Sequence, residues 1–398
     1  MVKRYDYIIA GAGCAGLSLL CRMIVSGAFR DKKILLIDKE ISRSNDRTWC
    51  FWEKGAGLFD QIVFRKWSRL QFHSEAVSVS MDISPYEYKM IRGIDFYDHC
   101  FRIIASEPGV ERMYGETTAV REEGSKAVVE VNGEVYEASY VFNSIPGPAT
   151  QQPGRHYLVQ HFKGWRIETA APAFDAGTAA LMDFRTDQQY GPCFIYLLPF
   201  NEREAMVECT FFTKDLVPED VYTRHLREYL ARFYARHTYV IHEEEYGVIP
   251  MTNHSYPRSQ RRVIPIGTAA GWTKPSTGYT FQFIQRYTEQ LVKSLMQQKP
   301  IRAFRPPARF AFYDSVMLAV LVRNQLQAPE IFAELFKNNH PVSVLRFLEN
   351  RSSLAEEFRI INSLPKGPFL KAAVGEIGSR MKGLRKPGSE VTPVAGIG

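Results

Sequence analysis

Asp6-Tyr7-Ile8-Ile9-Ala10-Gly11-Ala12-Gly13-Cys14-Ala15-Gly16-Leu17-Ser18 reads as a short apolar strand, a glycine turn and the start of a helix. That arrangement binds a dinucleotide. Gly11 permits the tight turn, Gly13 lets a pyrophosphate approach the backbone, and Gly16 lets helix and strand pack closely. Phosphates would sit on unpaired N–H groups at the positive end of the helix dipole, beside Cys14 and Ala15. The helix is expected from Leu17 to Ala28, and Lys33-Ile34-Leu35-Leu36-Ile37-Asp38 reads as a second buried strand. Asp38 lies 22 positions after Gly16, where an acid that takes a ribose hydroxyl is expected.

At 398 residues, 45% hydrophobic and 23% charged, the chain is globular and long enough for two or three domains. Its six cysteines (14, 21, 50, 100, 193 and 209) form no CxxC and no metal-ligand spacing. With no cleavable signal evident, this points to free thiols in a reducing cytoplasm and to no metal. No apolar run reaches the roughly 18 residues of a spanning helix. The net charge of +7 comes without a nucleic-acid-binding motif, so nucleic acid is not an expected partner. Lys366, Lys371, Arg380, Lys382, Arg385 and Lys386 are offset only by Glu376; a solvated tail and contact with anionic lipid heads both fit.

Asn45-Asp46-Arg47-Thr48-Trp49-Cys50-Phe51-Trp52-Glu53 is too polar and aromatic for a simple core strand. Either its tryptophans close over the core, or Arg47 and its neighbour Thr48 contact cofactor while Trp49 and Trp52 face substrate. Arg92, before a helix running to about Ser106, either lies on the surface or reaches the dinucleotide. Residues 110–145 read as strands returning to the first sheet, with a hairpin signal at Asn132-Gly133.

From about residue 155 the pattern changes to long strands: Tyr157–Thr169, Gly177–Arg185, Cys193–Pro199 and Glu204–Phe212. This is an antiparallel sheet inserted into the dinucleotide-binding domain. On the last strand Met206, Glu208, Thr210 and Phe212 share one face, and Ala205, Val207, Cys209 and Phe211 the other. Glu208 is the anomaly, a carboxyl in a strand almost devoid of charge. A helix follows from about Pro218 to Thr238. Then Arg262–Gly271 forms an apolar strand ending in a second glycine turn, which leads through Gly278 and Tyr279 to a helix from Phe281 to Gln297. Two glycine turns flanking an inserted sheet point to the longer dinucleotide FAD rather than NAD, held partly by Gly267 and Thr268. The last third is helical, with Asp314 interrupting the apolar run 310–322.

The expected architecture is α/β: a Rossmann-like FAD-binding part at 1–150 and 251–300, an antiparallel substrate sheet at 151–250, a helical region at 301–375 and a loose basic tail at 376–398.

Residues 11–18 (Gly-Ala-Gly-Cys-Ala-Gly-Leu-Ser), 45–52 (Asn-Asp-Arg-Thr-Trp-Cys-Phe-Trp), 250–253 (Pro-Met-Thr-Asn) and 267–279 (Gly-Thr-Ala-Ala-Gly-Trp-Thr-Lys-Pro-Ser-Thr-Gly-Tyr) together resemble the bacterial FAD-dependent lycopene β-cyclases. The resemblance runs to about residue 350. It implies conversion of the acyclic ends of lycopene to β-ionone rings, giving γ-carotene or β-carotene, by a cytoplasmic enzyme peripherally held at the inner membrane surface. It also implies FAD used in reduced form without net oxidation of substrate, with NAD(P)H as electron donor.

The family's acidic motif, Phe-Leu-Glu-Glu-Thr, carries the glutamate regarded as the catalytic acid. Here the run is Met206-Val207-Glu208-Cys209-Thr210, so Glu208 takes that role and Cys209 replaces the second glutamate. A second departure is Thr268, where many flavoproteins have an aspartate. An alkene is a very weak base, so the acid must stay protonated near neutral pH; desolvation beside Met206 and Phe212 acts in that direction. The plainer reading of Glu208 is a buried ion pair with an arginine such as Arg185. The rival activities on this scaffold are an NAD(P)H-dependent flavoprotein monooxygenase and an isoprenoid (geranylgeranyl) reductase.

Overall fold

The computed structural model describes residues 2–147, 152–256, 261–301, 306–323 and 327–383. Arg385, Lys386 and the tail from 384 onward lie outside the described residues. In chain order, β1 (Lys3–Ala10) leads through α1 (Cys14–Ser26) to β2 (Ile34–Asp38). Five strands follow: β3 (Thr48–Glu53), β4 (Arg65–Trp67), β5 (Arg69–His73), β6 (Ser78–Asp82) and β7 (Glu87–Arg92). Next come α2 (Gly93–Ala105), β8 (Val110–Tyr114), β9 (Thr117–Glu123), β10 (Lys126–Val131) and β11 (Glu134–Asn143). The long strands are β12 (Tyr157–Thr169), β13 (Thr178–Asp183), β14 (Cys193–Pro199) and β15 (Glu204–Thr213). They are followed by α3 (Glu219–Tyr234), β16 (Tyr239–Thr252), β17 (Val263–Pro265) and α4 (Phe281–Met296). The chain closes with α5 (Ala308–Val322), α6 (Ala328–Asn338), α7 (Pro341–Leu348), α8 (Leu354–Ser363) and α9 (Lys366–Gly383).

One sheet has the order β8-β2-β1-β11-β10-β9, with β17 also on β11. Its β8, β2, β1, β11 and β17 are parallel, as a Rossmann-like core requires. Helices α1, α2 and α4 bury their apolar faces together on one side of it. The second sheet has the order β16-β12-β15-β14-β13-β5-β6. β5 and β6 come from residues 69–82, so this sheet is not confined to the 151–250 segment. Leu70, Phe72 and Met81 bury one face of that early hairpin, a period-2 pattern short enough to pass for loop.

The two faces of β15 separate as strand alternation dictates. Ala205, Val207, Cys209 and Phe211 pack under α3. Met206 and Phe212 face the other way, into the core that includes α5, α6 and α7. The charge inside α5 has a partner: Asp314 Oδ1 meets Lys274 Nζ at 2.6 Å, with both side chains about 2–3% exposed. Ser276 Oγ donates to the same oxygen at 2.6 Å. This pair ties α5 to the loop between the second glycine turn and α4.

Candidate active site

The first glycine turn carries its expected division of labour. Gly11 has φ +96, and a Cβ there would lie 2.2 Å from Ser144 Oγ. A Cβ on Gly16 would lie 2.0 Å from the Gly11 carbonyl oxygen. At Gly13 a Cβ would meet nothing within 4 Å, so this backbone faces open space. The second turn closes on the first: Gly267 has φ +62 and its Cβ would sit 2.6 Å from that of Ala15. The two glycine turns, far apart in the sequence, therefore meet at the N-terminus of α1.

A cavity of about 660 Å³ starts there, within the range of small-molecule and cofactor sites. Gly13, Cys14, Ala15 and Thr268 form one end, Arg47, Thr48 and Trp49 a side, and Gly278 and Tyr279 another. Met206, Glu208 and Glu245 lie on the sheet side. An elongated dinucleotide fits this wall: besides the open Gly13 backbone, buried Gln160 Oε1 and Thr277 Oγ1 line it without protein partners. Burial pushes the Cys14 thiol up to about 12, so this position is a neutral contact rather than a thiolate.

Trp52, Arg92, Asp38, Thr210 and Phe212 lie outside the cavity wall, while Arg47 and Thr48 line it. Trp52 is buried behind the cavity, its ring 4.9 Å from that of Tyr279, while Trp49 lines it. The two are three apart on β3, and alternation sends them to opposite faces. Arg92 closes on Asp95 at 2.6 and 2.9 Å and lies over the Phe64 ring, outside the cavity wall. Asp38 sits at the tip of β2, but its carboxylate accepts from Arg43 at 2.7 Å and from the Ala12 N–H. Arg43 gave no signal in the sequence. Thr48 donates to Glu245 Oε2 at 2.8 Å, which puts its hydroxyl on the acid side of the cavity. Thr210 is buried and donates to Glu208 Oε1 at 2.8 Å; Phe212 belongs to the core beyond. Arg47 lines the cavity while paired to Asp46 at 2.6 Å.

Glu208 is not paired with Arg185, which binds Asp183. Its partner is a second carboxyl, Glu245, to which it is hydrogen-bonded. Two carboxyls can share a hydrogen bond only if one keeps its proton. Desolvation first, then the Glu245 charge and its hydrogen bond, raise Glu208 well above the usual carboxylate range, against the opposing Thr210 hydrogen bond. Desolvation also raises Glu245, but the bonds from Glu208 and Thr48 oppose it. Both carboxyls are raised by burial, so the pair retains a proton and titrates as a unit. The surroundings stay neutral: desolvation raises Cys50, Tyr88 and Tyr196, and pushes Tyr279 up to about 12. Glu245 is hidden in the sequence because Glu243-Glu244-Glu245 looks like a solvated acidic run. Cys209 points to the opposite face, its sulfur 3.5 Å from that of Cys193.

Outside this cavity, Glu168, Glu204 and His242 bring ligand atoms within 4.8 Å of one another at the surface. Arg166 already holds Glu204, and His242 holds Glu168.

A Rossmann-like sheet with a second sheet set against it, and a cavity bridging both, is the fold of the FAD-dependent flavoproteins. Solved structures agree at the level of fold. A geranylgeranyl bacteriochlorophyll reductase-like protein from Thermoplasma acidophilum is 13% identical and covers 97% of this chain and 99% of its own, with a TM-score of 0.56. A flavoprotein/dehydrogenase from Cytophaga hutchinsonii is 11% identical over 94% of this chain and 100% of its own, with a TM-score of 0.58. The chain belongs to the lycopene cyclase family: residues 6–374 match the family described as Lycopene cyclase protein. Among its relatives, the lycopene beta-cyclase of Paracoccus sp. is 24% identical over 92% of this chain and 95% of that protein. That of Pantoea ananas is 23% identical over 73% and 75%. The resemblance carried by the four sequence motifs is borne out.

Proposed function

We propose that this protein is a lycopene β-cyclase that isomerises the acyclic ends of lycopene to β-ionone rings by proton-initiated cyclisation. The observation that carries the reading is the buried Glu208 held beside Glu245 in a cavity walled by Tyr88, Tyr196, Tyr279 and Met206, where burial favours the protonated acid. Glu208 adds its proton to C2 of the terminal alkene, the C5–C6 alkene closes onto C1, and a proton leaves C6. No electrons are transferred overall. Trp49 and Tyr279 face the cavity, and each aromatic face is worth about 2 kcal/mol to a desolvated cation.

FAD would be held by Gly13, Cys14 and Ala15 at its phosphates and by Thr268, Thr277 and Gly278 along the opposite wall. In reduced form, with NAD(P)H as the electron donor, it would supply negative charge to stabilise the carbocation. In this reading the segments 1–150 and 251–300 serve mainly the cofactor, and the second sheet and 301–375 serve mainly the substrate.

Lycopene lives in membranes, and the C-terminal helices offer a docking face. Among the described residues no helix is long and apolar enough to cross a bilayer. Leu354, Phe358 and Ile361 on α8, and Leu370, Val374, Ile377 and Met381 on α9, are exposed at helical spacing. Glu376 is turned inward onto His156 at 2.6 Å, while Lys366, Lys371 and Arg380 on the same helix are exposed. An apolar stripe flanked by lysine and arginine suits the surface of an anionic membrane. The enzyme would then be cytoplasmic and peripheral to the inner membrane.

The test is pigment analysis of a lycopene-accumulating host expressing the wild type and Glu208→Gln. The expected result is β-ring carotenoid from the wild type and lycopene alone from the variant, with flavin retained in the purified protein. Near wild-type cyclisation by flavin-bearing Glu208→Gln would remove the acid assignment. Hydrogenated or oxygenated products from the wild type would place the activity with the reductases or monooxygenases.

A further inference from the structure

Tyr196, Glu208, Gly164 and Glu245 lie in one row across four adjacent strands. Tyr196 on β14 pairs with Glu208 on β15, Glu208 with Gly164 on β12, and Gly164 with Glu245 on β16. Directly opposed residues in an antiparallel sheet point to the same face. The two glutamates therefore stand two strand spacings apart, about 10 Å, with a residue lacking a side chain between them. Glu245 leans into that gap beside Met206: a Cβ on Gly164 would lie 3.0 Å from Glu245 Cγ, 3.1 Å from Met206 Sδ and 3.4 Å from Glu245 Oε1. Gly164 does not have the left-handed backbone that would itself demand glycine. Glycine in the interior of a strand weakens it, and the space it leaves here is taken by the Glu245 side chain and the Met206 sulfur.

Cyclisation needs a base as well as an acid, because one proton enters at C2 and one leaves at C6. We propose that Glu245 is the catalytic base that takes the C6 proton, and that Gly164 is the positioning residue that lets Glu245 reach Glu208. This inference rests on the cyclase reading above. At the start Glu208 is protonated and Glu245 is a carboxylate. Glu208 gives its proton to C2, forming the C–H bond and leaving positive charge on C1. Ring closure forms the C1–C6 bond and moves the charge to C5. The C6 proton passes to the Glu245 carboxylate and its bonding pair becomes the C5–C6 double bond. The proton then crosses the Glu208–Glu245 hydrogen bond and the starting state is restored. Protons and electrons balance with no other reactant.

The other titratable groups facing the pair are Asp46 and Glu243 on the Glu245 side, and Cys50, Tyr88, Tyr196 and Tyr279 around Glu208. Arg47 lines the same cavity. With Glu208 as acid and Glu245 as base, the rate falls on both sides of an optimum: at low pH as Glu245 gains a proton, at high pH as the pair loses its shared one.

The experiment compares wild type, Glu208→Gln, Glu245→Gln and Gly164→Ala, each FAD-loaded, chemically reduced under nitrogen and assayed on lycopene across pH. Glu245→Gln should lose about 100-fold or more in kcat and the acidic limb of its profile, with bound flavin unchanged. Gly164→Ala should lose about tenfold or more in kcat with little change in KM, since its methyl group displaces Glu245 rather than blocking the cavity. Infrared titration of the flavin-free proteins supplies a readout that does not depend on turnover. The protonated-carboxyl signal of the pair should be lost in Glu208→Gln, leaving that of Glu349, which burial pushes up to about 7, and in Glu245→Gln the Glu208 signal should titrate at lower pH than in the wild type. If Glu208→Gln is inactive while Glu245→Gln keeps its rate and both limbs, the base assignment is overturned and the acid assignment stands. If Glu208→Gln cyclises normally, the reading beneath fails.

Discussion

Replacing Asp314 by Asn removes the negative half of a buried ion pair while nearly conserving shape. In the wild type, Lys274 Nζ lies 2.6 Å from Asp314 Oδ1 and 2.8 Å from Asn350 Oδ1, in a setting where the lysine side chain is 3% exposed. After the substitution the ammonium keeps two neutral oxygens but no counter-charge. Breaking a buried pair by removing one partner costs about 3–5 kcal/mol. The Ser276 hydroxyl, which donates to Asp314 Oδ1, keeps an acceptor, so the expected cost is near the lower end, about 3 kcal/mol. At about 2 °C per kcal/mol for a chain of this size, Tm should fall by roughly 6 °C. The loop held by Lys274 also carries Thr277, Gly278 and Tyr279 to the cavity, so FAD affinity should weaken in parallel. The assay is calorimetry with and without FAD, alongside flavin titration. Replacing both partners, Lys274→Met with Asp314→Leu, should recover most of the loss, because an apolar pair carries no uncompensated charge. A Tm within about 1 °C of wild type for Asp314→Asn, or a double variant no better than the single, would refute the reasoning.

Two further outcomes follow from the same geometry. The Glu208 carboxyl is held above its ordinary pKa in the folded protein, so the stability its proton confers is fully present below the unfolded glutamate value and lost as pH rises through the raised one. Glu208→Gln should therefore gain stability relative to wild type as pH increases, by about 1.4 kcal/mol for every tenfold by which folding weakens this acid. Urea midpoints at mildly acidic and alkaline pH check this, and parallel curves would contradict it. On α9, Leu370→Asp with Val374→Asp should weaken binding to vesicles containing phosphatidylglycerol by about tenfold or more, since each buried aliphatic side chain is worth about 2 kcal/mol. Cyclisation of detergent-dispersed lycopene should persist; equal vesicle binding would show that lipid contacts another face.

The sequence carried the parts of this molecule that depend on local rules. The strand–glycine–helix unit at 6–18, the limits of β12 and β14, and the two faces of β15 all follow from hydrophobic period and backbone sterics. What it hid depends on register. Glu245 is 37 positions from Glu208, and only the alignment of β16 and β15 on either side of Gly164 brings them together. Gly164 was the available signal, a glycine in the interior of a long strand, where close approach of another group is the usual reason. Trp52 and Arg92 depart from expectation for different reasons. Alternation along β3 turns Trp52 away from Trp49, and Asp95 at helical spacing pairs with the guanidinium of Arg92. The recruitment of β5 and β6 into the second sheet is set by packing against the C-terminal helices, through contacts such as Phe72 with Phe336 at 5.2 Å.

The central claim is that a flavoprotein fold here runs a proton-driven isomerisation rather than a redox reaction. The most direct measurement is mass analysis of the product when purified protein, carrying chemically reduced FAD, is given lycopene under nitrogen with no NAD(P)H. The expected product is a β-ring carotenoid of the same mass as lycopene, formed over many turnovers per flavin. A product heavier by hydrogen or oxygen, or turnover that stops after one equivalent of flavin, would contradict it.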